Sequence, residues 1–387
     1  MQMAVRKGIV VGIGLMLQLL LSLSGYIILE EIFGVVSVFY TILGLLLILG
    51  LIRNSKNYSY TLPWILILFS YPLVGTLMYI VIGRNKNNSK VLKNITKSEK
   101  ENKKYLVQDT QIREEFKNNG RMRYISDYTG YPITKNNDID YYSLGEQAFE
   151  VMLEELKKAE KFIFLEYFII NRGIMWNSIL EILEEKANQG LDVRVMYDDA
   201  GCISTLENSY PKKLEKKGIK CVVFNKLHPI SGVIMNNRDH RKILVIDGKV
   251  AFSGGINIAD EYINENSKYG HWKDNGIRVS GDAVWNYTVM FLTMWNAFDK
   301  QDKDFEKFKY NFGDKNTNNG YAVPYGETPL DIEITGEDVY LNIINQADKY
   351  VYIFTPYLII DTDMINSLCL AAKRGVDVRI VIPRNTR

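Results

Sequence analysis

His240 and Lys242 are the two residues whose types and spacing most directly suggest chemistry. With Asp247, Gly255 and Asn257 they form the pattern H-x-K-x4-D-x6-G-G-x-N. A lysine ammonium neutralises the non-bridging oxygens of a phosphate, and a neutral imidazole can attack phosphorus. An asparagine amide can donate hydrogen bonds to the same oxygens, and glycine allows close approach of the backbone to a ligand. The spacing therefore predicts a site that holds a phosphodiester.

A short hairpin is expected to position these residues. The run 243–246 is apolar and mostly β-branched, 247–249 reads Asp-Gly-Lys, and 250–252 is apolar again. This order predicts two strands joined by a tight turn. If the first strand begins by His240, the side chains of His240 and Lys242 project from one face. Asp247 is expected to support the lysine and the strand end, since a turn aspartate after a strand is most often structural.

A lone H-x-K is common, so the hairpin alone carries little weight. The full spacing through Asn257 is far more demanding, and here the sequence resembles the phospholipase D superfamily and, within it, bacterial cardiolipin synthase. The resemblance extends beyond the motif. The matching segments, which include parts of the motif, are 165–167, 193–199, 237–242, 255–262 and 272–274.

The resemblance implies a specific reaction. Enzymes of this family use two H-x-K-x4-D motifs, one from each half of the protein, and need no metal or cofactor. One histidine forms a covalent phosphohistidine while the other protonates the leaving alcohol, so a phosphatidyl group moves from one phosphatidylglycerol to another and glycerol leaves. On this chain the resemblance assigns catalysis to His240, Lys242 and Asp247, and phosphate binding to Lys242, Asn257 and Gly255. It leaves open whether His240 is nucleophile or general acid.

Glu166 is a charged residue in an otherwise apolar predicted strand, 162–170. A buried carboxylate is costly unless it is paired. We therefore interpret Glu166 as a structural or supporting residue near the site, with direct chemistry the less favoured reading.

An internal repeat is visible in the sequence. Residues 159–165 resemble 347–353, and residues 187–195 resemble 372–380. No second H-x-K-x4-D occurs in the chain: His271-Trp272-Lys273 is an H-x-K, but Arg278 stands where the aspartate would be. We expect a first phospholipase D-like domain over 131–320 and the start of a second over 321–387, whose own motif would lie beyond residue 387.

The first 83 residues are predicted to form a membrane anchor. The stretches 8–29 and 32–52 are apolar and long enough to span a bilayer. A signal peptide is the competing interpretation of the first, although its apolar run is long for one. A third apolar stretch, 62–82, is interrupted by Pro63, Pro72 and Gly75, which predicts a broken or re-entrant segment.

The distribution of charge predicts a cytoplasmic catalytic domain. Arg6 and Lys7 precede the first span, Glu30 and Glu31 follow it, and residues 84–104 are strongly basic. The positive-inside rule then requires the third segment to return to the cytoplasmic face. The basic linker 84–130 would face anionic lipid, where each charge contributes about 1 kcal/mol. An ordinary solvated linker is the alternative.

Composition limits the remaining possibilities. A net charge of +2 argues against a protein built to coat nucleic acid. The three cysteines are irregularly spaced and predict small apolar filler in a reducing compartment, with no zinc site. The expected fold class is α/β: N-terminal transmembrane helices, then a phospholipase D-like α/β/α sandwich and the start of a second copy. Helices are expected at 145–158, 178–189 and 211–217, and strands at 162–170, 191–197 and 221–224.

Three functions remain open. The first is a phosphatidyltransferase of the cardiolipin synthase type, with phosphatidylglycerol and anionic membrane lipid as partners and no nucleic acid. The second is a phosphodiesterase or nuclease whose site is built across a homodimer, as in single-motif members of the superfamily. The third is an inactive truncated membrane protein that self-associates or pairs with a complete synthase.

Overall fold

The computed structural model describes residues 16–18, 20, 30–54, 58–83, 90–226, 238–266, 270–299, 302–313, 320–328, 331 and 333–383. These residues fall into two compact units. One unit is Asn87–Ile343, and the other combines Met1–Lys86 with Ile344–Arg387.

The unit Asn87–Ile343 is built on an eight-stranded mixed sheet in the order β4-β3-β2-β5-β6-β7-β1-β8. Strands β2, β3 and β4 are parallel, whereas β5 pairs antiparallel with β2 and starts the antiparallel half. The strands are β1 Thr134–Tyr142, β2 Phe162–Tyr167, β3 Asp192–Asp198, β4 Lys220–Phe224, β5 Lys242–Ile246, β6 Val250–Gly254, β7 Gly276–Ser280 and β8 Gly320–Ala322.

Helices cover both faces of this sheet. Alternate residues of β2 enter two different cores: Ile163 and Leu165 pack with one, Phe162 and Phe164 with the other. This alternation is what a strand buried on both faces requires. The helices of this unit and its boundary are α4 Lys90–Asn102, α5 Thr110–Glu115, α6 Gly120–Thr129, α7 Gly145–Lys157, α8 Ile174–Asn188, α9 Asp199–Cys202, α10 Tyr210–Glu215, α11 Val284–Phe298 and α12 Thr335–Gln346.

The predicted hairpin and the predicted α/β order are confirmed, with bounds shifted by a few residues. The largest shift is at the start of α8, which begins at Ile174 instead of Ser178. Strand β2 stops at Tyr167 instead of Ile170. The chain leaves the sheet there, and Ile170 forms only an isolated bridge with Ile258. Strands β1, β7 and β8 and helix α11 were not predicted from the sequence.

The described part of the segment predicted as a basic linker is helical. In α4 the side chains of Leu92 and Ile95 are buried against α11, whereas Lys93, Lys97 and Lys100 are exposed. The Ser98 hydroxyl donates to the Thr293 carbonyl at 2.6 Å. The basic residues of α4 are therefore displayed on the outer face of a helix that packs on the domain.

The N-terminal segment contains α1 Glu30–Asn54, α2 Tyr58–Ser70 and α3 Pro72–Met78. By length and composition, one helix among the described residues could cross a membrane, namely Val36–Asn54 within α1. Nearly all of the first predicted span, 8–29, lies outside the described residues, as do Arg6, Lys7 and the basic residues Arg84 and Lys86.

The third apolar segment contains two helices with a break between them; its re-entrant course in a membrane stays a prediction. A helix ends at Ser70 and another begins at Pro72, and both pack against α1. Residues 67 and 75 would lie about 12 Å apart along a straight helix. A Cβ on Gly75 would instead stand 2.6 Å from the Ile67 carbonyl oxygen. The chain therefore bends sharply at Tyr71, and glycine permits the close contact.

The C-terminal segment repeats the strand–helix–strand order of β2, α8 and β3. Its elements are β9 Tyr350–Phe354, α13 Thr362–Lys373 and β10 Asp377–Val381, and the two strands pair in parallel. Val351 packs with Leu368 and Ala371 in a small core. The structural order agrees with the internal repeat seen in the sequence.

Candidate active site

His240 and Lys242 lie together at the start of β5. Lys242 is the first residue of the strand and lies opposite Tyr167 of β2. Its Nζ is 3.1 Å from His240 Nδ1 and donates to the His240 carbonyl oxygen at 2.6 Å. The strand begins at Lys242, two residues later than the start at His240 that would place both side chains on one strand face. The lysine side chain nevertheless reaches back to the histidine. The predicted pairing of imidazole and ammonium is therefore present.

Burial lowers the pKa values of both His240 and Lys242. Burial lowers the pKa of His240 below its ordinary value, and the Lys242 ammonium lowers it further. Burial also lowers the pKa of Lys242 to about 8, against the opposing charges of Asp239 and Asp274. At neutral pH the site therefore holds a neutral imidazole next to a largely protonated amine, which suits a phosphate ester.

Asn257 and Gly255 form hydrogen bonds with other residues of the chain. Asn257 is buried; its Oδ1 accepts from the Ile169 backbone N–H at 3.1 Å and its Nδ2 donates to the Tyr262 hydroxyl at 2.8 Å. The Gly255 N–H donates to the Asn275 carbonyl at 3.1 Å. These bonds fix the loop after β6 against the chain that follows β2. Phosphate binding by Asn257 and Gly255 stays a prediction.

Asp247 does not join this group. It lies at the opposite end of β5, roughly 15 Å from Lys242 by the rise of the strand. Its Oδ1 accepts from the backbone N–H groups of Lys161 and Phe162, and its Oδ2 from that of Glu160. The predicted support of the strand end is observed. The structure does not place Asp247 beside the lysine; its carboxylate binds the start of β2. The catalytic assignment of Asp247 stays a prediction.

The Asp247→Ala variant should be destabilised by about 2–4 kcal/mol, because three backbone N–H groups lose a charged acceptor. Asp247→Asn should cost less, since asparagine also tolerates the left-handed backbone found here, φ 55°. Denaturant unfolding of both variants measures this. If Asp247→Ala left stability unchanged while phosphate binding collapsed, the structural role would be wrong.

Glu166 is fully buried and faces Arg241. The Arg241 guanidinium approaches its Oε1 at 3.7 Å, and burial together with the charge of Asp239 raises the pKa of Glu166 well above its ordinary value. The residue between His240 and Lys242 is thus the ion-pair neighbour of this carboxyl group. The structural or supporting role of Glu166 stays a prediction.

Asp198 is a buried residue to which the sequence analysis gave no role. Its Oδ2 accepts from the Asp239 backbone N–H at 2.9 Å, and its Oδ1 accepts from the Ala200 and Gly201 N–H groups. It thus joins the end of β3 to the residue before His240. In the sequence, the feature that could have indicated Asp198 is an acidic residue at the end of a predicted buried strand.

A cavity of about 400 Å³ lies beside the motif. Its walls include Tyr287, Met290 and Met294 from α11, whereas Arg238, His240 and Lys242 also line it. Such a cavity combines a cationic, polar portion with an apolar one. This is the combination expected for a ligand with a phosphate and a hydrocarbon part.

The fold and the H-x-K hairpin define a protein of the phospholipase D-like class. The family model described as "Cardiolipin synthase, PLD-like domain" matches residues 152–295 and 340–387. Cardiolipin synthase 1 of Staphylococcus aureus is 34% identical over 361 residues, covering 87% of this chain and 70% of the relative. Cardiolipin synthase of Clostridium perfringens is 33% identical over 345 residues, covering 86% and 71%. The chain therefore belongs to the cardiolipin synthase family of phospholipase D-like proteins.

Two further proteins are similar to this chain. A Streptococcus mutans protein described as uncharacterized is 44% identical over 341 residues, covering 87% of this chain and 74% of that protein. The crystal structure of phosphatidylserine synthase from Haemophilus influenzae matches with a TM-score of 0.48 and 14% identity, covering 68% of this chain and 66% of that one.

Proposed function

We propose that this chain supplies one catalytic half of a phosphatidyltransferase that transfers a phosphatidyl group between two phosphatidylglycerol molecules. The observation that carries the proposal is the 3.1 Å contact between Lys242 and His240 at the start of a buried strand, in a family of cardiolipin synthases. Lys242 would neutralise the phosphate oxygens. His240 would act on phosphorus or on the leaving oxygen, and no metal is assigned a role.

The hydrogen bond between Lys242 and His240 selects one tautomer of the neutral imidazole in the unliganded site. An ammonium only donates, so His240 Nδ1 must accept from Lys242 and the neutral ring then carries its proton on Nε2. A bound phosphate would compete for Lys242 and release Nδ1. The neutral ring could then attack phosphorus through Nδ1, or take up a proton there and donate it to the leaving oxygen, and a partner histidine would take the other role.

A complete site needs a second histidine. Attack on phosphorus and protonation of the leaving group occur on opposite sides, so one imidazole cannot do both at once. The sequence contains one full H-x-K-x4-D motif. We therefore define the joined protein as this chain extended by the remainder of a second phospholipase D-like half that carries its own H-x-K-x4-D motif, and we assign transfer activity to the joined protein.

The pH dependence of transfer by the joined protein should reflect His240 and Lys242. As the nucleophile His240 must be neutral, so activity should rise with pH through a value below 6.5; as the general acid it must be protonated, so activity should fall with pH through that value. Lys242 must be protonated, so activity should fall as pH rises through about 8. Labelled phosphatidylglycerol in vesicles measures this as cardiolipin formed with stoichiometric release of glycerol.

Lys242→Arg provides the decisive variant for this profile, because a guanidinium stays charged at all these pH values. The alkaline limb should disappear in Lys242→Arg and persist in Lys249→Arg, a change at the other end of the same hairpin. An alkaline limb unchanged in Lys242→Arg would contradict the role of Lys242. Cleavage of an oligonucleotide without cardiolipin formation would instead favour the phosphodiesterase alternative.

We also propose that α4 and the sheet domain face the cytoplasm, with the broken third segment returning to that side. A cysteine at Lys97, whose side chain is exposed, should resist a membrane-impermeant thiol reagent in intact cells and react after lysis. The exposed Cys369 is first replaced by serine to remove its own signal. Ready labelling of intact cells would place the domain outside.

A further inference from the structure

The backbone on both sides of His240 is held by carboxylates. The Asp239 N–H donates to Asp198 at 2.9 Å, and the Asp239 Oδ1 accepts from the Arg241 N–H at 3.3 Å. The side chain of Asp239 therefore spans His240 from residue 239 to residue 241. Any group that fixes the Asp239 carboxylate also fixes the position of the imidazole.

The carboxyl group of Asp239 neighbours that of Glu166. Asp239 Oδ2 and both carboxyl oxygens of Glu166 are buried and have no hydrogen-bond donor among the described residues. The Arg241 guanidinium is 3.7 Å from Glu166 Oε1, which is too long for a hydrogen bond. Two ionised carboxylates are both acceptors, so neither can satisfy the other. A proton placed between them would supply the missing donor.

We propose that Glu166 is a positioning residue that keeps its proton at neutral pH and donates it in a hydrogen bond to the Asp239 carboxylate, fixing the backbone of His240. The significance of this bond for catalysis rests on the proposed role of His240 and Lys242. One proton also balances the cluster, because Arg241 neutralises one carboxylate and the proton neutralises the other.

The electrostatic surroundings agree with this assignment. Burial, followed by the charge of Asp239, raises the pKa of Glu166 well above its usual range, and Arg241 lowers it by a smaller effect. Glu99 on α4 lies near the same guanidinium; burial and the charge of Asp331 raise its pKa to about 7. Tyr131 also faces Arg241 and stays neutral, since burial raises its pKa to about 12.

The test uses the full chain in detergent and compares the parent with Glu166→Gln. A glutamine amide can donate to Asp239 as a protonated carboxyl does, but it does not titrate. In the unfolded chain Glu166 ionises near 4.5, whereas in the folded chain it stays protonated. As pH rises above 4.5 the parent should therefore lose stability relative to Glu166→Gln, by about tenfold in the unfolding equilibrium constant per pH unit. Melting temperatures across pH measure this.

Infrared spectra provide a second readout, which begins with the parent protein and uses variants only to assign the band. In parent protein labelled with ¹³C-glutamate, a protonated carboxyl band should persist at pH 8, where Glu99 is ionised. Glu99→Gln should retain this band and Glu166→Gln should lose it. Glu166→Ala, which cannot donate, should melt below Glu166→Gln at every pH.

An ionised Glu166 paired with Arg241 would give the opposite results. Glu166→Gln would then leave a buried guanidinium uncompensated and lower the melting temperature equally at every pH, and the band would be missing from the parent. Either outcome would overturn the inference. Both readouts are independent of catalysis, so a failure of the joined protein to form cardiolipin would leave them unchanged.

Discussion

Replacing His240 by alanine in the joined protein should lower phosphatidyl transfer by at least about 10³-fold, which corresponds to about 4 kcal/mol of barrier. The imidazole is the only group assigned to act on phosphorus or on the leaving oxygen in this half of the site, and the neighbouring Lys242 cannot replace it in a covalent or proton-transfer step. Cardiolipin formation from labelled phosphatidylglycerol in vesicles measures the loss.

His271→Ala is the matched control, because His271 is exposed and its nearest carboxylate, Glu146, is 3.9 Å away. This variant should retain the parent rate. Turnover by His240→Ala within tenfold of the parent would remove His240 from the mechanism.

Replacing Lys242 by alanine should lower kcat by about 10²-fold to 10³-fold, or about 3–4 kcal/mol, because the charge that develops on the phosphate oxygens loses a positioned cation. The loss should appear in kcat more than in KM, since the interaction strengthens in the transition state. Initial rates over a range of phosphatidylglycerol mole fractions separate the two constants.

Lys249→Ala removes another lysine of the same hairpin, which pairs with Glu160 at 2.7 Å, and it should leave both constants nearly unchanged. A Lys242→Ala variant that raised KM alone would show that Lys242 contributes ordinary ground-state binding. The proposed stabilisation of the transition state would then be wrong.

The hairpin and the His240–Lys242 pair could be predicted from the sequence because their determinants are local. The apolar runs, the Asp-Gly turn and the spacing of the motif all lie within a few residues of one another. The repeat likewise predicted the strand–helix–strand order of β9, α13 and β10, since homologous segments share their periodicity.

Contacts between distant segments were not predictable in the same way. Asp247 binds the start of β2, and Asp198 holds the residue before His240; each bond joins positions that only the strand order brings together. The role of Glu166 was only partly visible, because a lone acidic residue in a strand indicates a partner without naming it. Arg241 was overlooked since it stands between two residues with more evident chemistry.

The helix α4 shows how composition can conceal structure. Its many lysines suggested a solvated linker, but its apolar residues recur at positions 92 and 95 and are buried. An amphipathic helix needs only a narrow stripe of apolar residues to pack on a domain, and its charged residues then occupy the outer face.

The central claim is that His240 and Lys242 form half of a phosphatidyltransferase site. The most direct measurement compares homogeneous 387-residue protein with the joined protein on vesicles of labelled phosphatidylglycerol, without added metal. The chain by itself should form little or no cardiolipin, and the joined protein should form it with release of glycerol in a His240-dependent reaction. Robust cardiolipin synthesis by the chain alone, abolished by His240→Ala, would contradict this account and would show that two copies of this chain complete the site.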